Sequence, residues 1–122
     1  VWPVVEIDDH RYMDGGVLSP ANTDLAEGAN SVIVLAPMAR GVKKEASPVQ
    51  ELETLIKQAD NHPASNNPAT QKTLGRVISP DQKSRKAFGK NPLDPAARSR
   101  AAAAGLEQSK HETEEIAKIW NR

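Results

Sequence analysis

Residues 31–37 read SVIVLAP, and the fold turns on how this stretch is read. Ser31 to Ala36 form a continuous apolar run rather than an alternating one. Continuous apolarity suits a strand covered on both faces, as in the parallel sheet of an α/β protein. Pro37 ends it. On the N-terminal side, Ser19-Pro20 can open a helix, with serine as the cap and proline at the first helical position, and Gly28 would stop it. On the C-terminal side, Ser47, Pro48 and Gln50 match a capping box with proline at the first position. Val49, Leu52, Leu55 or Ile56, and Ala59 then form an apolar helical stripe. "TLGRVIS", residues 73–79, is a second, weaker strand. Helix, strand, helix, strand is the alternation of an α/β fold.

Working outward, residues 4–13 read as extended structure around a turn near Asp8-Asp9, and Gly15-Gly16 break that pattern. Residues 60–72 carry Asn, Pro and Ser without periodicity, which predicts an exposed loop. Pro80 to Phe88 suggest a short helix. Asp94-Pro95 pair a cap with a first-turn proline, opening a C-terminal helical segment over 94–121 with a weak point at Gly105. Glu114 and Lys118 are spaced for an i,i+4 ion pair.

The chain has 122 residues, enough for one domain or a large piece of one. Acidic and basic side chains balance at 16 each, so no strong field favours nucleic acid or an anionic membrane. No cysteine is present, which excludes a disulfide framework and cysteine metal sites. No stretch resembles a signal peptide, and no apolar run approaches the ~20 residues of a transmembrane segment. Trp2, Tyr12, Phe88 and Trp120 are the only aromatic residues, so packing must rely on aliphatic side chains or on a partner. The sequence opens on Val1, inside a strand-like segment, which suggests a piece of a longer chain.

Most of the chemistry that motifs can announce is missing. There is no phosphate-binding glycine loop, no G-x-G-x-x-G and no G-x-S-x-G nucleophile elbow. Asp8, Asp9 and His10 lack the ligand spacing of known metal sites. "HETEE", 111–115, ends in Glu115 where the zinc-protease motif needs histidine. Asp14, in "YMDGG", is the exception. Asp-Gly is a common turn dipeptide, and on its own Asp14-Gly15 reads as the corner of a turn.

Taken together, "WP", "YMDGGVLSPANTDLAEGANSVIVLAPM", "ISPD" and "AFGKNPLDPAARSRAAAAG" resemble, in order and spacing, the C-terminal part of bacterial patatin-like phospholipases. The resemblance covers nearly the whole chain, with residues 60–72 the least similar. It implies that residues 1–122 are the C-terminal portion of a single patatin-like domain. The fold would be part of a three-layer α/β/α arrangement with a mostly parallel sheet, its N-terminal half absent. It also implies a serine acyl hydrolase acting on lipid acyl esters through a Ser-Asp dyad. Asp14 would be the dyad carboxylate, supported by Gly15 and Gly16, and no histidine, cofactor or metal would be required. The nucleophilic serine and the oxyanion loop would lie outside this chain, so the chain alone would be inactive. The implied partners are an acyl-ester substrate and the N-terminal half of the domain. The implied location is cytoplasmic, or peripheral at membranes. The alternative is a non-catalytic α/β interaction module, or a separately encoded partner chain, that retains the patatin frame.

Overall fold

Asp8 and Asp9 both adopt left-handed backbone angles, φ 48° and 60°. That is the geometry of a two-residue turn whose twist matches that of the strands it joins. In the computed structural model, which describes residues 3–38, 47–61, 72–91 and 93–121, this turn closes a hairpin. Its strands are β1 (Val5–Ile7) and β2 (His10–Tyr12), paired antiparallel with Val5 opposite Tyr12 and Ile7 opposite His10. The His10 ring nitrogen Nδ1 lies 2.7 Å from the Asp8 carbonyl oxygen, a hydrogen bond that braces the turn.

The apolar run becomes β3 (Ser31–Leu35), paired in parallel with β4 (Leu74–Ile78), and α1 (Pro48–Asn61) lies between them in sequence. Side chains alternate across the two strands. Val32, Val34 and Val77 pack with Leu52 and Leu55 of α1, and Ala26, Ala29 and Ile56 border this core. Burial of Leu52, only 4% exposed, stabilises the unit by roughly 1.5–3 kcal/mol. Gly75 lets the helix come this close, since a Cβ there would sit 2.7 Å from Leu52 Cδ1. The opposite face takes α3 (Arg98–Trp120). Arg76 donates from Nε and Nη2 to Glu112 Oε2 at 3.0 and 2.7 Å, and the Ser31 hydroxyl donates to the Ile119 carbonyl at 2.8 Å.

A short helix, α2 (Gln82–Phe88), is capped by Asp81, whose Oδ1 accepts from Ser84 N at 2.7 Å. One amide side chain joins it to α3. Gln108 Oε1 accepts from Asp81 N and from the Ser84 hydroxyl, both at 3.0 Å, while Nε2 donates to the Ser79 carbonyl at 2.8 Å. Ser84 is 2% exposed, so that hydroxyl needs the partner it has.

The chain is therefore mixed α/β, and both strands of the β3–β4 pair fall where the sequence predicts them. The described strands form two sheets of two strands, one antiparallel and one parallel.

Several local expectations are corrected. The helix expected from Ser19-Pro20 to Gly28 reduces to one 3-10 turn, Thr23–Ala26. Asn22 takes left-handed angles, φ 49° and ψ 46°, which interrupt any helix begun at Pro20. In α1, Pro48, Leu52 and Leu55 are buried, whereas Val49 is 52% exposed and lies off the stripe. Ser47 Oγ accepts from Gln50 N at 3.3 Å, but the Gln50 side chain turns to Glu53 instead of completing the capping box. Asp60 and Asn61 belong to α1 rather than to the loop, and residues 62–71 of that loop lie outside the described residues. The C-terminal segment opens with a 3-10 turn, Pro95–Ala97, capped by Asp94. After it, α3 runs through Gly105 without a break. A mid-helix glycine costs only about 1 kcal/mol relative to alanine, and Ala101–Ala104 precede this one. Lys118 pairs with Glu115 at i,i+3 rather than with Glu114. No helix among the described residues is long and apolar enough to cross a membrane.

Candidate functional site

Asp14 stands at the exit of the hairpin, where Gly15 and Gly16 turn the chain away from β2. Its backbone is extended, φ −58° and ψ 124°, and it caps a single 3-10 turn, Gly15–Val17. The cap is made by the side chain, whose Oδ1 accepts from Gly16 N at 2.9 Å. The backbone closes the same turn, with Val17 N donating to the Asp14 carbonyl at 3.0 Å. Gly16 suits this arrangement because a Cβ there would lie 3.3 Å from Asp14 Oδ1, tighter than ordinary contact. Asp14 is exposed. Among the described residues its carboxylate has that one hydrogen bond, which leaves Oδ2 without a donor.

The next segment is fastened to α1. Ser19 Oγ donates to Glu51 Oε2 at 2.6 Å and accepts from Asn22 N at 2.7 Å. Ala21 N donates to the same Glu51 oxygen at 3.3 Å. Asn22 Nδ2 then reaches back, donating to the Ser19 carbonyl at 2.9 Å and, at a long 3.5 Å, to the Gly15 carbonyl. Leu18 N and Ser19 N converge on that carbonyl as well, at 3.1 and 3.2 Å. Sequence reasoning missed Glu51. The available signal was its spacing, three residues after Pro48 and four before Leu55, which puts a carboxylate at the border of the buried face of α1.

Beyond this loop lies an open groove of about 500 Å³, lined by Pro20–Thr23, Leu25, Ala26, Val32–Met38 and Pro48. Leu25, Leu35 and Met38 present exposed apolar side chains there. Asp14 is not among its lining residues, but Asn22 belongs both to the groove and to the loop behind Asp14.

No serine hydroxyl among the described residues hydrogen-bonds to Asp14. Ser19 is committed to Glu51, Ser31 to Ile119, Ser84 to Gln108 and Ser109 to Leu106, and Ser65 lies outside the described residues. Among the described residues no group of three histidine, aspartate or glutamate side chains could hold a metal ion. Asp8 and Asp9 form the turn of the hairpin, and His10 opens β2. Chemically, the site offers one carboxylate with one oxygen anchored and the other open. Such a group can accept a proton, but supplies no nucleophile of its own.

No family model matches the chain, and neither does any curated protein or solved structure.

Proposed function

We propose that this chain is the C-terminal part of a patatin-like serine acyl hydrolase domain, with Asp14 as the carboxylate of a Ser-Asp dyad. The observation that carries the reading is the state of that carboxylate. Oδ1 is pinned by Gly16 N, while Oδ2 has no donor among the described residues and the side chain is exposed. A general base needs this combination, a fixed orientation and an accessible lone pair. The order and spacing of the D-G-G, S-P-x-N and S-V-I-V-L-A segments support it further. In this reading the three-layer domain and the remainder of its sheet require the N-terminal half.

The chemistry follows from those parts. A serine hydroxyl contributed from outside residues 1–122 approaches Asp14 Oδ2. As its oxygen bonds to the ester carbonyl carbon, its proton passes to the carboxylate and the carbonyl becomes an oxyanion. Collapse of the tetrahedral intermediate expels the alcohol, which takes the proton from Asp14, and leaves an acyl-serine. Water then attacks the acyl carbon, giving a proton to Asp14. The second tetrahedral intermediate collapses by breaking the acyl–serine bond, the serine oxygen takes that proton back from Asp14, and the fatty acid departs. Two glycines beside the carboxylate leave room for the serine-bearing loop. The exposed apolar groove over β3 supports a lipid acyl ester, as in phospholipase A-type hydrolysis, as the substrate class, with the protein acting in the cytoplasm or peripherally at membranes.

In the full-length protein, Asp14→Asn keeps the size of the side chain and removes its basicity. We expect kcat for a short-chain nitrophenyl ester to fall about 10²–10⁴-fold. Unchanged turnover by a variant with the parent's melting curve would leave a non-catalytic interaction module as the better reading.

A further inference from the structure

We propose that Glu51 is a positioning residue for Asp14, its carboxylate fixing from α1 the loop on which the candidate base stands. The catalytic consequence rests on the acyl-hydrolase reading, whereas the structural one rests on the hydrogen bonds alone.

A glutamate in the first turn of a helix ordinarily serves the helix, through the dipole or the free amides. Glu51 is placed otherwise. Ser47 Oγ already accepts from Gln50 N, and Glu51 Oε2 turns outward to Ser19 Oγ and Ala21 N, some 30 residues away in sequence. Glu51 Oε2 accepts from both groups, so the Ser19 hydroxyl proton is directed toward α1 and a lone pair of that hydroxyl is left for Asn22 N. Asn22 is held in left-handed angles, and its side-chain amide is directed at the carbonyls of Ser19 and Gly15. The links run Glu51, Ser19, Asn22, Gly15, and end on the residue that follows Asp14.

A second observation sets Glu51 apart. Its Oε1 is buried and has no partner among the described residues. A buried carboxylate oxygen without a donor costs stability. A glutamine or an apolar residue would serve α1 packing with less penalty, so helix stability alone does not account for a glutamate here.

The test compares Glu51→Ala, Ser19→Ala, Asp14→Asn and the double variant Glu51→Ala/Asp14→Asn in the full-length protein, with a short-chain nitrophenyl ester as the probe. Glu51→Ala is expected to lower kcat about 10- to 100-fold, the scale of a small misplacement of a catalytic group, with KM changed less than about twofold. Ser19→Ala removes only the middle link, with less risk to folding, and should show the same pattern to a smaller extent. In the Asp14→Asn background the further loss from Glu51→Ala should shrink to about twofold or less, since two residues acting through one group do not add. Unchanged kcat in both single variants, or losses that add in the double variant, overturns the proposal.

Amide hydrogen exchange supplies a readout independent of turnover. Val17 N and Ser19 N, bonded to the Asp14 and Gly15 carbonyls, should exchange faster in Glu51→Ala while the β3–β4 ladder keeps its protection. Equal exchange at those amides also overturns the proposal. If Asp14→Asn retains the parent's kcat, the hydrolase reading falls, and the exchange result alone decides whether Glu51 holds the loop.

Discussion

Residues 3–18 and the β3–α1–β4 unit contain the same kinds of side chain and treat them in opposite ways. In the unit, Val32, Leu52 and Leu55 are buried against one another. In the N-terminal stretch, Val5, Ile7, Tyr12, Met13, Val17 and Leu18 are all exposed. The difference is cover. A parallel pair needs a long crossover, and here the crossover includes α1, whose apolar stripe returns over the strands. A hairpin needs only its turn, and Asp8-Asp9 provide one without placing anything over the face that carries Val5, Ile7 and Tyr12. A lone two-stranded hairpin is marginal in water. Strand-forming residues thus define where strands lie, but burial depends on what the connection brings with it. Asp14 lies at the junction between the two regimes, on the open side, and the loop that follows it is tied at Ser19 and Ala21 to Glu51 on the packed side.

If that contrast is right, substitutions should separate by region. Leu52→Ala removes the centre of the small core and should destabilise by about 2–5 kcal/mol, read as a lower denaturant midpoint at unchanged slope. A cost below about 1 kcal/mol would mean that the unit is not the stable part of the molecule.

Asp81→Ala removes the α2 cap and should lower stability by less than Leu52→Ala does, read as a smaller drop in the denaturant midpoint. Its pH dependence sharpens the point. The Asp81 carboxyl is held below the usual carboxylate range, chiefly by the hydrogen bond from Ser84 N. Glu107 and Glu115 are held low by hydrogen bonds from Lys110 and Lys118. Each folded value lies below the unfolded one, so each stabilisation is fully present above the ordinary carboxylate range. It is lost as pH falls through the depressed folded values, that is, below about pH 4. Asp81→Ala should therefore flatten the acid limb of the stability curve, and an unaltered limb would assign the acid sensitivity elsewhere.

The smallest effect belongs to the hairpin, where Ile7→Ser should change stability by less than about 0.5 kcal/mol, as at an exposed position. A loss near 2 kcal/mol in the full-length protein would show that a partner segment buries this face.

The elements that were legible in sequence are those with local signals. The apolar run at 31–36, the Ser47-Pro48 start of α1 and the Asp94-Pro95 turn each fix backbone geometry within a few residues. The Ser19-Pro20 helix misled because its Ser-Pro start is the one that also opens α1, while the competing Ser19–Glu51 bond joins positions 32 apart in sequence. The Gln108 clamp on α2 was invisible for the same reason, since it joins Ser84 to a residue 24 positions away. In the candidate site, the glycine turn at Asp14 could be read directly. What holds that turn could not, because it depends on which helix face meets which loop.

An activated phosphonate ester, which forms a stable adduct with an acyl hydrolase's serine, tests the central claim most directly. In the full-length protein it should label one serine lying outside residues 1–122. The labelling rate should fall about 10²–10⁴-fold in Asp14→Asn, the loss expected when the base is removed. No labelled serine, or labelling that proceeds at the parent's rate in Asp14→Asn, would contradict it.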